Sequence, residues 1–206
     1  MNQAPVIVVG AGGHAAVVAD TLLAAGRTVL GFVDGDPTKH GTRVLGLPVL
    51  GDDAALDAHR GGGVELANGI GGPGSTPSVG QGTLRRRVQH RLSALGWTFV
   101  AVRHPGAIVS RFAVLGPSTQ VLAGAVVQPC ATVGDGAIVN TRAVVEHHAQ
   151  VGEETHVGAG AVVRQGIHLA ARVVVAAGAA VARDVHSGIV AGVPARALRH
   201  SARVVP

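Results

Sequence analysis

The sequence predicts an α/β half followed by an all-β half, and three observations predict it. The chain opens on a strand, a glycine turn and a helix, PVIVVGAGGHAAVVADTLLAAG. Strand-like and helix-like patterns then alternate to about residue 105. From Ala107 a six-residue repeat replaces both periods. Alternation of the first kind implies a small parallel sheet flanked by helices. A fixed repeat implies a solenoid whose units stack. The division expected is residues 1–105 and 106–206.

In the first half a buried strand runs into Gly10 and Gly12, and the helix that follows ends at Gly26, where a C-terminal glycine belongs. A second strand, TVLGFVD, ends in Asp34. A helix around Asp52 to His59 and a strand VELANGIG come next. In the helix TLRRRVQHRLSALG, Leu84, Val88, Leu92 and Leu95 form one apolar face. A last strand, WTFVAV, leads to His104-Pro105. Gly10, Gly12 and Ala15, with Asp34 further on, match the dinucleotide fingerprint of a Rossmann-like domain. Backbone N–H groups at such a turn can approach a phosphate, but about 105 residues is short for a complete NAD site. The insert GGPGSTPSVGQG (71–82) has the composition of a flexible loop, either covering a ligand or making a surface excursion. Arg85, Arg86 and Arg87 either reach phosphates or form a solvated helix face.

The second half reads in blocks of six: AIVSRF, AVLGPS, TQVLAG, AVVQPC and onward to AAVARD. The third place is Val109, Leu115, Val121, Val127, Val133, Val139, Val145, Val151, Val157, Val163, Leu169, Val175 and Val181, aliphatic every time. With about a third of positions aliphatic, chance gives such a run less than about once in a million trials. A period of six is neither 3.6 nor 2.0. It fits short strands joined by turns, three to a coil, so that residues eighteen apart stack. The third place faces inward, the small first place lets the chain turn, and Gly, Asn and Asp gather at the corners. The pattern stops at Ser187.

Composition narrows the function. Aromatics are 2% of the chain, three Phe, one Trp and no Tyr, so the core is aliphatic and bases would have little to stack on. The formal charge of +5 is spread along the chain, which fits either ordinary solvated arginine or small anionic ligands such as phosphates better than nucleic acid. A single cysteine, Cys130, excludes an internal disulfide framework and a multi-cysteine zinc site. The opening residues do not look like a signal peptide and no apolar run spans a membrane, so a cytoplasmic setting is expected.

The repeat resembles the hexapeptide family, over residues 107 to about 186, and that resemblance implies a left-handed parallel β-helix, trimeric assembly and CoA-dependent acyl transfer. GAGGHAAVVAD, VDGD, NGIG, RRR on a helix, HPGA, NTRAVVEHH and VAGVPAR together resemble the NeuD/PglD-type sugar acetyltransferases along nearly the whole chain. The resemblance implies an acetyl-CoA-dependent N-acetyltransferase acting on a nucleotide-linked amino sugar, expected to be a 4-amino sugar, with sites between subunits of a homotrimer and no metal. His147 matches the catalytic base, a task suited to an imidazole. His148 stands where relatives usually carry Glu or Asp, and Glu146 is the adjacent acid. Gly12, Gly13, His14 and Asp34 match the nucleotide site, with His14 as donor to a phosphate and Asp34 as acceptor from ribose or base. Asn140 and Thr141 match residues near the sugar. His156, Gln165, Gly166, Gly192 and Pro194 match the acetyl-CoA side, Gln165 by count supplying the N–H for the acetyl oxygen. Three alternatives stay open: acetylation of a sugar or sialic acid hydroxyl, a non-catalytic hexapeptide subunit, and a zinc carbonic anhydrase. The last would need two histidines five residues apart, which the chain lacks.

Overall fold

The computed structural model describes residues 3–71 and 81–198. Strands β1 (Val6–Val9), β2 (Val29–Val33), β3 (Arg43–Val44), β4 (Leu47–Gly51) and β5 (Glu65–Asn68) form one sheet in the order β3-β4-β2-β1-β5. All pairs are parallel except β3 with β4. The central β1 reads VIVV and is buried throughout, as a strand covered on both faces must be. Helix α1 (Gly13–Ala24) starts directly from the glycine turn. It is closed by Gly26 at φ +74°, whose N–H bonds Leu23 O while the Arg27 N–H bonds Leu22 O. Helix α2 (Gln81–Ala94) packs against β5, with Leu92 in one core cluster with Leu66 and with Asn68 Nδ2 donating to Arg85 O and Gln89 Oε1. Apart from Gly71 and the start of α2, the glycine-rich stretch 71–82 lies outside the described residues.

One local expectation is refined and two are corrected. Asp53–His59 is a 3-10 helix capped by the Asp52 carboxylate on Ala54 N–H. Residues 97–102 make no continuous strand; Phe99 bridges Leu66, and Val102–Arg103 pairs instead with Gln120–Val121 of the solenoid. On α2, Leu84 and Leu95 are exposed while Arg85 and Leu92 are buried. The helix turns its arginine inward because backbone carbonyls of Asn68, Ile70 and Gly136 receive the guanidinium.

The second half is a left-handed parallel β-helix of two-residue strands on three faces. Register pairs Val126 with Ile108 and Val144, and Thr132 with Val114 and Gln150, so residues eighteen apart do stack. The third-place residues fill the interior, and so do the first-place alanines: Ala125, Ala131, Ala137, Ala143, Ala149 and Ala161 are fully buried. Small size there serves interior packing rather than turning alone. The turn belongs to the sixth place, where Ser118, Cys130, Arg142, His148, Glu154 and Arg172 hold positive φ beside the glycines of other corners. The coil also continues past Ser187. Ile189–Ala191 pairs with Val174–Val175 at a spacing of fifteen, three residues short of a full turn.

Each face carries a different outward column. One face shows Ile108, Val126, Val144, Val162 and Ala180, all aliphatic. A second shows Val114, Thr132, Gln150 and His168. The third shows Gln120, Ile138 and His156, and here the α/β half docks, burying Gln120 and Ile138 almost completely.

Close coil stacking makes certain glycines irreplaceable. A Cβ on Gly152 would lie 2.5 Å from Ala171 N and 2.6 Å from Ala170 C, backbone atoms of the next coil. On Gly160, at φ +66°, it would meet nothing within 4 Å. Gly152→Ala is therefore expected to lower stability by about 1–3 kcal/mol through overpacking. Gly160→Ala should cost only the backbone term, about 1 kcal/mol. Thermal melts of the two variants, ranked by Tm, test this.

Candidate active site

A cavity of about 740 Å³ opens at the C-terminal ends of β1, β2 and β5, where open α/β sheets bind ligands. The glycine turn forms its floor. Gly10 holds φ +98°, a value that favours glycine, whereas a Cβ on Gly12 or Gly13 would meet nothing within 4 Å. Gly12, Gly13 and His14 line the cavity, and no side chain caps the N–H groups of the first turn of α1. Asp34 Oδ2 accepts from Ala11 N–H at 2.7 Å and from Lys39 Nζ at 2.9 Å, and Oδ1 accepts from Asp36 N–H at 2.9 Å. Burial alone would raise its pKa, but the hydrogen bonds from Asp36, Lys39 and Ala11 hold it below the usual carboxylate range. Asp34 is thus an ionised clamp that ties the glycine turn to the end of β2, as well as a cavity wall.

Two cations on the cavity wall escaped the sequence reading. Lys39 pairs with Asp34, and Arg91 of α2 pairs with Asp53. Leu84, Val88 and Arg91, spaced four and three residues apart, line the same wall. That spacing was the available signal. Arg85 in contrast is 2% exposed, and with Glu154 at 3.7 Å it forms an ion pair too long for a hydrogen bond. Burial lowers its pKa to about 10 against the opposing pull of Glu154, and burial raises that of Glu154. Arg85 belongs to the domain junction, neither to a phosphate site nor to a solvated face. Arg86 and Arg87 are exposed.

His14 and His156 meet the same junction from opposite sides. His14 Nε2 lies 2.8 Å from Gln120 Oε1, so this nitrogen faces the β-helix rather than an open phosphate position. The Gln120 amide also donates to Asn68 O at 2.6 Å. Neither Asn68 nor Gln120 stood out in the sequence, because their contact spans 52 positions. Asn140 Nδ2 lies 3.0 Å from His156 Nε2, and Asn140 Oδ1 accepts from Thr141 N–H at 2.7 Å. His156 Nδ1 is buried without a partner among the described residues. Burial pushes both imidazoles down to about 4, aided by Arg85 in each case and by His14 in that of His156.

His147 and His148 stand apart, exposed at the corner between the aliphatic face and the polar face. Their Nδ1 atoms are 3.0 Å apart and their rings meet edge to face. The partner of His147 Nδ1 is therefore His148, not Glu146. His148 occupies the left-handed sixth place at φ +60°. One coil on, Gly166 N–H donates to His147 O at 3.1 Å, which leaves the Gln165 N–H as the free donor of that corner among the described residues. Gly192 and Pro194 lie in the turn between Ile189–Ala191 and Arg196–Ala197. No group of three His, Cys, Asp or Glu among the described residues is close enough to hold a metal.

Residues 5–92 match the family model described as the PglD N-terminal domain. The structure of PerB from Caulobacter crescentus in complex with CoA and GDP-perosamine superposes with a TM-score of 0.77, at 35% identity over 93% of this chain and 96% of that one. The chain belongs to the NeuD/PglD type of sugar acetyltransferases. The acetyltransferase domain of PglB from Neisseria gonorrhoeae, in complex with acetyl coenzyme A, gives 0.76 at 32% identity over 95% and 100%. WeeI from Acinetobacter baumannii, 18% identical over 95% and 100%, shares the fold with a TM-score of 0.74. Nothing among the curated proteins matches the chain. As a member of this family the protein is an acyltransferase.

The junction histidines make stability depend on pH. Both have folded pKa values near 4, below the ordinary 6.5, so the unfolded chain binds more protons between those values. Their contribution is complete above about pH 6.5 and is lost as pH falls toward 4. Denaturant unfolding across pH 7.5 to 4.5 should show this decline, flattened in a His14→Gln, His156→Gln variant. An unchanged slope in that variant would assign the decline to other groups.

Proposed function

We propose that this protein is an acetyl-CoA-dependent N-acetyltransferase of a nucleotide-linked amino sugar, a 4-amino sugar, with His147 as general base. One observation carries the reading: this chain, 35% identical along nearly its length to PerB, a protein solved with CoA and GDP-perosamine, has both an open glycine-turn cavity and an exposed histidine pair on the coil. The glycine turn, Asp34 and Lys39 would hold the nucleotide. His147, bonded through Nδ1, has Nε2 free to take the proton that the amine loses as its nitrogen attacks the thioester carbonyl. The C–S bond then breaks, and the proton leaves with the CoA thiol. Gln165 N–H is the donor placed to steady the developing oxyanion. His156, Gly166, Gly192 and Pro194 complete the acetyl-CoA side of this reading. Surface glycan or glycoprotein sugar synthesis is the setting it implies, in the cytoplasm; among the described residues no helix is long and apolar enough to cross a membrane.

The reading requires a second copy. His147 lies on the prism edge opposite the docked face, whereas the cavity lies on the docked side. A site uniting them takes its base from a neighbour. The column Ile108, Val126, Val144, Val162 and Ala180 supplies an aliphatic surface for that contact, supporting a homotrimer.

Release of free thiol from acetyl-CoA with UDP-, GDP- and dTDP-linked amino sugars tests the activity, and turnover with one of them is expected. Light scattering should give a trimer, and a monomer would sink the shared site.

Within the active protein, His147→Ala should lower kcat/KM by about 10²–10⁴ without loss of Tm. His148→Ala should cost less, and His148→Glu should move the acidic limb of the pH–rate profile upward, because a carboxylate favours protonated imidazole. Asp34→Ala should raise the sugar-nucleotide KM more than it lowers kcat, leaving the acetyl-CoA KM nearly unchanged. A larger loss at His148 than at His147 would assign the base to the other ring.

A further inference from the structure

The side-chain amides of Gln120 and Asn140 have orientations dictated by backbone groups. Asn68 O can only accept, so the Gln120 atom 2.6 Å from it is the NH₂, and Oε1 faces His14. An acceptor at that place demands that His14 carry its proton on Nε2. Thr141 N–H can only donate, so the Asn140 atom 2.7 Å from it is Oδ1, and the NH₂ faces His156. A donor there demands that His156 Nε2 be unprotonated and that the proton sit on Nδ1. That Nδ1 is the buried ring nitrogen without a partner among the described residues. Arg85 stands near both rings as a fixed positive charge and favours their neutral forms.

We propose that Gln120 and Asn140 are positioning residues that write opposite tautomers on His14 and His156, so that His14 keeps a bare lone pair on Nδ1 and His156 carries its N–H on the buried Nδ1. The assignment deepens the acetyltransfer reading and rests on it only for the ligand. His14, which lines the cavity, then reads a donor such as a sugar hydroxyl or amine and not a phosphate oxygen. A neutral ring with a fixed tautomer rejects the wrong partner, because a lone pair facing a phosphate leaves buried polar groups unpaired.

The direct test is a two-bond proton–nitrogen correlation spectrum of the full-length, nitrogen-labelled protein at neutral pH, with His14 and His156 assigned by substitution. Expected are His14 protonated on Nε2 alone and His156 on Nδ1 alone. The reverse tautomers, or doubly protonated rings, overturn the proposal. Gln120→Glu removes the donor to Asn68 O and sets a carboxylate against His14. It should turn His14 into the doubly protonated form and raise the amino-sugar-nucleotide KM about tenfold, the worth of one hydrogen bond, with the acetyl-CoA KM within about twofold. Asn140→Asp offers His156 Nε2 no donor, so that ring should gain a proton on Nε2, with kcat falling about tenfold. Rings unchanged in both variants would show that the amides do not set them. If the wild-type tautomers are as assigned and no amino-sugar nucleotide is turned over, the acetyltransfer reading fails and the tautomer assignment stands.

Discussion

Stacking residues eighteen apart turns a linear repeat into three outward columns, and each column has a separate use. The inward columns are nearly uniform aliphatic and alanine, so they fix the coil and leave the outward ones free to vary. Gln120, Ile138 and His156 form a receiving surface for the α/β half. The corners, held by left-handed residues, carry side chains away from the interior at a constant height per coil. Every coil position in the proposed site inherits its place from that register. A one-residue slip would exchange buried and exposed side chains along the whole solenoid.

The α/β half depends on the coil for more than attachment. Gln120 closes the hydrogen bonding of Asn68, which in turn receives Arg85 and holds Ile70 N–H through its own side chain. Arg85 and Glu154 are each taken from water into a loose pair, a costly arrangement in isolation. It is tolerable because Asn68, Ile70 and Gly136 carbonyls surround the guanidinium. Asp34 plays a comparable organising part at the other end of the cavity, fastening the glycine turn. The cavity is therefore braced at one rim by an ionised carboxylate and at the other by the β-helix.

Much of this was legible in the sequence because it repeats or is local. The third-place aliphatics, the glycine turn and Gly26 are periodic or short-range signals, and the structure places them as read. Arg85 was not legible. Its place on α2 looked like charge beside an apolar stripe, and only carbonyls distant in sequence reveal that the stripe is rotated. Gln120 and His14 are 106 positions apart, and no local pattern announces their contact. The closing coil was misread for a different reason: a fifteen-residue rung keeps the strand pairing while breaking the six-residue count. The histidine pair was legible as composition, but its mutual hydrogen bond depends on the corner conformation of His148.

That short closing rung also bears on how the molecule behaves in a crowded solution. A parallel solenoid would end in open strand edges, each a template for further pairing. Here the segment after Val181 folds back over those at the C-terminal end. Val185 pairs with the last strand of the polar face, Gly192 and Ala195 bond Ala180 on the aliphatic face, and Arg196–Ala197 runs antiparallel to Ile189–Ala191 on the docked face. Antiparallel pairing reverses the chain direction, so no further parallel coil can be added there. The C-terminal segment is thus a stopper against fibre growth as well as a neighbour of the proposed CoA site.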